Sequence, residues 1–321
     1  MFEDKIHFGR EEKDYRMHAL GASRSWARFK RNIPLLVMFV PVVAFYLIFK
    51  YAPMFGYVIA FKEYTFAKGV FGSPWVGLKW LEIIVNDPFT LKIVWNTLFL
   101  SLLNIVVGFP FPILIALMLN EVRSMLFKKS VQTLVYLPHF FSWVIIGGIF
   151  ITLFSQESGI VNKIITLFRD EPLPFLYQAN TWISIYVGSG IWKEAGFSAI
   201  IYLAALTSID PTLYEAASVD GAGKFRKIWH ITLPGIRPTI FLLLILSMGN
   251  IMEVGFDHVY VLQNDVVYSS SEVLSTYIYK IGLLGAQFSR STALGLFESL
   301  VGFILVVTAN RVARRFNQNL W

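Results

Sequence analysis

Polar side chains inside apolar runs are the residues of this chain that could do chemistry. Asn250, Glu253 and Asp257 recur at i, i+3 and i+7, so they would form one polar stripe along a helix. Ionisable groups within a membrane span are costly, and they usually face a partner or a water-filled path. The stripe therefore predicts a lining for a translocation path.

A weaker stripe lies in an earlier apolar run. Ser189 and Lys193 share a helical face there, and Glu194 follows directly. We predict that these residues also face the path. The alternative is a buried ion pair that only holds helices together, for instance Lys193 with Glu253. A proton relay along the carboxylates is a third interpretation, and it would make the chain an ion-coupled secondary transporter.

Several other chemistries find little support in the sequence. There is no cysteine, and the five histidines lack metal-ligand spacing, so neither thiol chemistry nor a metal site is predicted. No soluble domain exists to hold a hydrolytic carboxylate pair. The nucleotide-binding pattern G-x-x-x-x-G-K-[ST] is absent, because the glycine-rich turn at 221–224 has no Ser or Thr after its lysine. We predict a chain that is not an enzyme and that binds no cofactor itself.

The elements that must position these residues are membrane helices. Of the 321 residues, 55% are hydrophobic and 15% charged, against about 45–50% and 25% in soluble domains. Six apolar runs are long enough to cross a hydrocarbon core, which needs about 20 residues. We predict an all-α membrane protein, with a tail at 1–32 and one transmembrane domain at 33–321. The six spans are predicted near 33–51, 93–119, 131–154, 181–206, 239–262 and 291–310.

The distribution of positive charge predicts the orientation. If the N-terminus is cytoplasmic, the segments on that side hold 18 Lys and Arg, and those on the opposite side hold 8. Cytoplasmic loops carry such an excess, so both termini and the segment 207–238 are predicted to be cytoplasmic. The net charge of +7 is explained by this topology, and nucleic-acid binding is not predicted.

A polar, basic island lies between the fourth and fifth runs, at residues 207–238. Asp210 is a good N-cap and Pro211 suits the first helical position, so a helix is predicted to begin there. Gly221 is predicted to end this helix in a left-handed turn. A second helix is predicted over 224–232, ended by the two prolines that follow. Helices this short are marginal alone, so both are predicted to dock on something.

The island also carries a spaced pattern: E-A-A, three residues, Gly, nine residues, then I-x-L-P. This pattern resembles the signature cytoplasmic loop of the permease subunits of bacterial binding-protein-dependent ABC importers. In that family the loop is a coupling helix pair that sits in a cleft of the ATPase subunit. An ordinary polar connection between membrane helices is the alternative. The predicted coupling residues are Glu215, Ala216, Ala217, Asp220, Gly221, Ile231, Leu233 and Pro234.

The resemblance assigns roles to these residues. Glu215 would be the polar contact to the ATPase groove, and Ala216 with Ala217 would let the groove approach closely. Gly221 would supply the turn. Ile231 with Leu233 would anchor the loop to the membrane helices. The resemblance thus places ATP and Mg in a partner ATPase and not in this chain.

Three further stretches resemble the polysaccharide or oligosaccharide branch of the sugar-importer permeases. The segment 53–80 contains P-M-F-G and G-S-P-W-V-G, and Phe256-Asp257 follows in the fifth run. Aromatic residues, 16% of the chain, suit stacking on sugars, but they are also common at membrane interfaces. An importer of another solute is the alternative within the family. The sequence leaves open whether the saccharide is acidic.

The family implies a set of partners. These are a second homologous permease, two copies of the ATPase, a periplasmic or extracellular solute-binding protein, an oligo- or polysaccharide, and membrane lipid. It also implies a bacterial cytoplasmic (inner) membrane location. One departure concerns the turn after the fifth run, where 263–265 is Gln-Asn-Asp and many relatives have Gly-Gly-Pro. Contacts of the solute-binding protein at that turn therefore stay open.

Overall fold

The structure of this chain is a computed structural model in which most of the chain can be described. The predicted tail lies outside the described residues except for its last residue, Asn32. Two residues of the predicted path, Asn250 and Glu253, also lie outside them. The described residues are 32–249, 251–252 and 254–314.

Regular structure in the described residues is helical, as predicted. The one exception is an isolated antiparallel bridge between Lys62 and Trp75. Contacts divide the chain into two units, Met1–Val58 and Ile59–Trp321. The described part of the first unit is helical from residue 32 onward.

The described residues contain four helices that are long and apolar enough to cross a membrane, and two bent helix pairs that pass the same test together. Counting each pair as one span gives up to six spans. The four helices are Asn32–Phe61, Pro88–Glu121, Lys224–Gly249 and Phe288–Arg311. The bent pairs are Met125–Phe140 with Trp143–Leu153 and Ala179–Leu206 with Pro211–Val219. Below, the first to sixth spans are Asn32–Phe61, Pro88–Glu121, Met125–Leu153, Ala179–Leu206, Lys224–Gly249 and Phe288–Arg311.

The third span is broken where a continuous helix was predicted. Its halves, Met125–Phe140 and Trp143–Leu153, meet at 102°. Pro138 lies in a 3₁₀ turn that ends the first half. Ser142 then adopts an extended conformation, and its hydroxyl accepts a hydrogen bond from the Ile145 amide at 3.4 Å. An N-cap inside an apolar run restarts the helix in a new direction.

The helix predicted after Asp210 is present as Pro211–Val219, which we call the loop helix. The Asp210 carboxylate caps it by accepting from the Thr212 amide at 2.9 Å. Gly221 follows with φ +74°, the left-handed conformation predicted for it. The loop helix is bent by 76° from the fourth span, so it projects away from that helix.

The fifth span corrects two predictions. The helix that starts at Lys224 was predicted to end before Pro234, but it continues to Gly249 with Pro238 inside it. A π-helical turn at Ile228–Thr232 comes just before the prolines. Local π turns and hydroxyl groups allow membrane helices to tolerate proline, and Thr232 Oγ1 donates to the Lys227 carbonyl at 3.3 Å.

The far end of this span also differs from the prediction of one helix over 239–262. The helix ends at Gly249, and Phe256–Leu262 forms a separate helix of 7 residues. Gly255, which lies between them, is the N-cap position of that second helix. A prediction from hydropathy alone continues the helix through this interruption, because the flanking residues are apolar.

Glycines set the closest helix contacts. A Cβ on Gly196 would lie 1.9 Å from the Val135 carbonyl oxygen, so the fourth span touches the first half of the third span at the backbone. A Cβ on Gly147 would lie 2.3 Å from Val261 Cγ1, so the second half packs on Phe256–Leu262. Small residues allow such close approach, and van der Waals packing drives helix association in lipid.

Candidate functional site

A cavity of about 500 Å³ lies between the second, fourth and fifth spans. Trp143 of the third span and His258 of the short helix Phe256–Leu262 complete its wall. Ligand sites are typically cavities of about this size with apolar walls and a few polar groups. The aromatic and polar residues that line it are Asn104, Phe109, Trp143, Tyr186, Glu194, Ser198, Tyr202, Ser247 and His258.

His258 is buried in this wall, with 5% of its surface exposed. Its ring stacks between Trp143 and Tyr186, at centroid distances of 3.7 and 4.2 Å. Its Nε2 lies 2.9 Å from Ser189 Oγ, which itself donates to the Tyr186 carbonyl at 3.0 Å. In the tautomer in which the Ser189 proton goes to the Tyr186 carbonyl, the His258 Nε2 carries a hydrogen and Nδ1 is an acceptor.

Tyr186 links this stack to the second span. Asn104 Nδ2 donates to the Tyr186 hydroxyl at 3.0 Å, which leaves the hydroxyl proton of Tyr186 available. On its other face Tyr186 stacks on Trp182 at 5.5 Å, and Trp182 Nε1 donates to the Leu262 carbonyl at 2.8 Å. Four rings, from Trp182 to Trp143, therefore form one continuous row.

An ion-pair cluster lies beside the row. Lys193 Nζ lies 3.1 Å from Glu194 Oε1 and donates to the His139 carbonyl at 2.7 Å. His139 Nδ1 lies 2.7 Å from Glu194 Oε2, and its ring stacks on Phe197 at 3.9 Å. Lys193 Nζ also lies 5.3 Å from the centroid of the Trp143 ring. The cluster therefore joins the break of the third span to the fourth span.

The structure gathers half of the predicted path residues. Glu194 lines the cavity, Ser189 contacts the cavity residue His258, and Lys193 pairs with Glu194. Asp257 is exposed and does not line the cavity. The predicted stripe of the fifth run cannot be followed further, since its other members lie outside the described residues.

Sequence reasoning missed His258, Trp143 and His139. The histidines were set aside because they lack metal-ligand spacing, and no group of three or more potential metal ligands occurs among the described residues. One local signal was available: Ser142 before Trp143 is an N-cap in an apolar run. His258 carries no such signal, because its partners come from distant elements.

The predicted coupling residues lie on the loop helix, in the turn after it and near the start of the fifth span. Glu215 and Ala216 are exposed on the loop helix and Ala217 is half-buried. Ala217, Asp220 and Ile231 contribute to the lining of a hollow of about 370 Å³ between the loop helix and the start of the fifth span. The Asp220 side chain is exposed at the end of the helix. The loop helix thus presents small, accessible side chains beside a groove.

Hydrogen bonds hold the two sides of this groove together. The Tyr214 hydroxyl donates to Thr232 Oγ1 at 3.1 Å, and Lys227 Nζ donates to Ser218 Oγ at 2.6 Å. Leu233 packs against a buried cluster around Ile236, so the base of the loop is anchored in the bundle, whereas Pro234 is exposed. The Thr212 amide, which donates to the Asp210 carboxylate, lowers the pKa of that cap below its usual range.

Comparison with known families and sequences gives a consistent result. Residues 108–320 match the family model described as "Binding-protein-dependent transport system inner membrane component". The polygalacturonan/rhamnogalacturonan transport system permease protein YteP of Bacillus subtilis is 48% identical over 88% of each chain. Protein LplB of the same organism is 41% identical over 96% of this chain and 97% of its own.

Solved structures extend the likeness to three dimensions. A chain of a bacterial ABC transporter involved in the import of the acidic polysaccharide alginate matches with a TM-score of 0.84. It is 43% identical, and the match covers 91% of this chain and 99% of that one. A second structure, the alginate transporter in complex with an alginate pentasaccharide-bound periplasmic protein, matches with the same TM-score and 42% identity over 92% of this chain and 98% of that one.

Proposed function

This chain belongs to the family of binding-protein-dependent transport system inner membrane components, and we propose that the solute it carries is an oligo- or polysaccharide. It is a permease subunit of an ABC importer and is not itself an enzyme. The relatives named for polygalacturonan and alginate transport support a saccharide of this kind.

The cavity is the observation that carries the proposal. Phe109, Trp143 and Tyr202 give the cavity wall an aromatic, apolar character that suits the C–H faces of a pyranose. The Nδ1 of His258 and the hydroxyl of Tyr186 offer an acceptor and a donor beside those rings. Apolar walls with a few placed hydrogen-bonding groups are what fixes a polyhydroxylated ligand in position.

We propose that the loop helix docks in a groove of a separate ATPase, which holds ATP and Mg. The exposed Glu215 would make the polar contact to the ATPase, and the small side chains of Ala216 and Ala217 would allow the groove to approach closely. The hydrogen bonds between the loop helix and the fifth span support this proposal, because a movement of one would be passed to the other.

The remaining subunits follow from the same reasoning. We propose a second homologous permease, a pair of ATPase subunits, and a solute-binding protein on the outer side. The similar alginate transporter is solved in complex with a periplasmic protein, which supports the last of these. The excess of positive charge on one side supports cytoplasmic termini and a cytoplasmic loop helix, in a bacterial inner membrane.

Co-purification tests the proposal. The tagged chain is extracted from its native membrane in mild detergent, and ATP hydrolysis is measured with binding protein and candidate oligosaccharides, both neutral and uronic. We expect an ATPase to co-purify and one saccharide class to stimulate it. Binding protein without sugar is the control. Stimulation by amino acids or peptides, with no response to any saccharide, would overturn the proposed substrate.

A further inference from the structure

Both halves of the broken third span contact the fourth span, and the second half, in which the Phe150 ring centroid lies 5.8 Å from that of Trp192, also packs on Phe256–Leu262. The first half meets the fourth span through the contact of Gly196 with Val135, and the second half meets Phe256–Leu262 through the contact of Gly147 with Val261. The joint between them is only the segment 141–142. Any change in the angle of 102° therefore moves the second half, with the contacts it makes to Phe256–Leu262, relative to the first half.

The ion-pair cluster is situated at this joint. Lys193, Glu194 and Phe197 lie within five consecutive residues of the fourth span, and all three contact His139, two residues before the joint. Lys193 reaches its backbone, Glu194 its ring nitrogen, and Phe197 its ring face. We call His139, Lys193 and Glu194 the clamp.

The clamp also reaches across the joint to the cavity wall. Trp143 is the first residue of the second half, and it lies under Lys193 Nζ and against the ring of His258. Lys193 is buried, with 7% of its side chain exposed, so its ammonium depends on the Glu194 carboxylate for charge compensation. Without the charge of Glu194, the buried ammonium of Lys193 would have to move, and Trp143 would lose its cationic neighbour.

We propose that Glu194 is a positioning residue for transport. Through His139 and Lys193 it fixes the bend of the third span, and the bend fixes the position of Trp143 in the cavity wall. This inference rests on the proposed function of the cavity as part of a substrate path. A residue that positions the wall should affect how bound substrate is coupled to ATP hydrolysis.

The test measures the bend directly. Because the chain has no cysteine, Leu134→Cys and Ile151→Cys can be introduced for spin labels, one on each half of the third span. Both positions are exposed, at 69% and 39%. The distance distribution is measured by pulsed electron resonance on the assembled complex, with cysteine-free partner subunits, and ATP hydrolysis is measured on the same samples.

We expect one narrow distance in the complex with an intact clamp. In Glu194→Gln and Glu194→Ala the maximum should shift or split, and saccharide-stimulated ATPase activity should fall about 2- to 30-fold, the range expected for residues that carry coupling. His139→Gln is a second route, because it removes the imidazole and leaves Lys193 paired. Glu82→Gln, an exposed acid on another helix, is the matched control and should change neither readout.

An unchanged distance distribution in the Glu194 variants and in His139→Gln would overturn the inference. If saccharide stimulation of the ATPase fell at the same unchanged distance, Glu194 would contact substrate and would not position the wall. A wild-type complex that responds to no saccharide would instead refute the proposed substrate, and the distance measurement would still decide the role of the clamp.

Discussion

The side chain of Asp87 connects two membrane spans of this bundle. At the start of the second span its carboxylate accepts from the Thr90 hydroxyl at 2.6 Å and the Phe89 amide at 3.2 Å. It also accepts from Arg290 Nη2 of the sixth span at 3.1 Å. The bond from Thr90, with those from the backbone and the charge of Arg290, lowers the pKa of Asp87 although partial burial opposes this.

The lowered pKa predicts a sign for the pH dependence. The usual pKa of an unfolded Asp is about 3.9, so Asp87 stabilises the fold above that pH, and the contribution is lost as pH falls through the lower folded pKa. Asp87→Asn keeps a capping oxygen and removes the charge, so its melting temperature in detergent should lie below that of wild type at neutral pH. The gap should narrow in acid.

Asp87→Ala serves as the comparison, because it removes the cap as well as the charge. It should destabilise further than Asp87→Asn, by about 0.5–2 kcal/mol, the usual cost of a lost N-cap. If the difference in melting temperature between wild type and Asp87→Asn stayed constant down to strong acid, the charge of Asp87 would not be its cause.

Two glycines of the fourth span offer a paired test of packing. Gly196→Ala would place a Cβ 1.9 Å from the Val135 carbonyl, and neither backbone can yield, so we expect a loss of about 1–3 kcal/mol. Gly188→Ala meets nothing within 4 Å and should be neutral or up to about 1 kcal/mol stabilising. Thermal unfolding in detergent measures both. Equal melting temperatures for the two variants would refute the close contact.

The turn after the loop helix depends on the left-handed backbone conformation of one glycine. Gly221 has φ +74°, which proline cannot adopt, since its ring fixes φ near about −65°. We expect Gly221→Pro to uncouple ATP hydrolysis from transport while the bundle stays folded, and Glu215→Arg to do the same. Transport into vesicles and ATP hydrolysis are measured side by side.

Gly223 provides the control for this turn. Its φ is −71°, and a Cβ there would meet nothing within 4 Å, so Gly223→Ala should keep coupling intact. Normal expression of every variant must be established first. If Gly221→Pro transported as well as Gly223→Ala, the coupling role of the loop would be wrong.

Local signals explain which elements the sequence could predict. The loop helix was predicted because Asp210, Pro211 and Gly221 mark its start and its end by local backbone effects. The break at Ser142 was missed because hydropathy averages over both halves of the third span. The fifth span was predicted too short at its start, because the π turn that accommodates Pro234 has no sequence signature.

The cavity shows the corresponding limit for the site. Ser189, Lys193 and Glu194 were found because polar residues in an apolar run stand out. His258 and Trp143 were not, since their roles arise from stacking between elements far apart in the chain. The coupling residues were predicted from the resemblance, and their use in docking stays a prediction.

The orientation of the whole molecule can be tested with single cysteines. Val219→Cys lies on the loop helix side and Phe168→Cys in the opposite loop, and both positions are exposed, at 89% and 84%. In intact cells or spheroplasts that lack an outer membrane, a membrane-impermeant thiol reagent should label the cysteine at residue 168. It should label the cysteine at residue 219 only after the cytoplasmic membrane is permeabilised. The cysteine-free parent chain is the blank. The opposite pattern would invert the topology.

The uninterrupted fifth span has a mechanical consequence for the whole transporter. It begins beside the loop helix, and Leu243 and Ser247 near its far end line the cavity. Its 26 residues extend about 39 Å at about 1.5 Å per residue, so a tilt of about 10° about one end would displace the other by about 7 Å. If the loop helix docks on an ATPase as proposed, the fifth span would carry a small displacement there to the cavity wall.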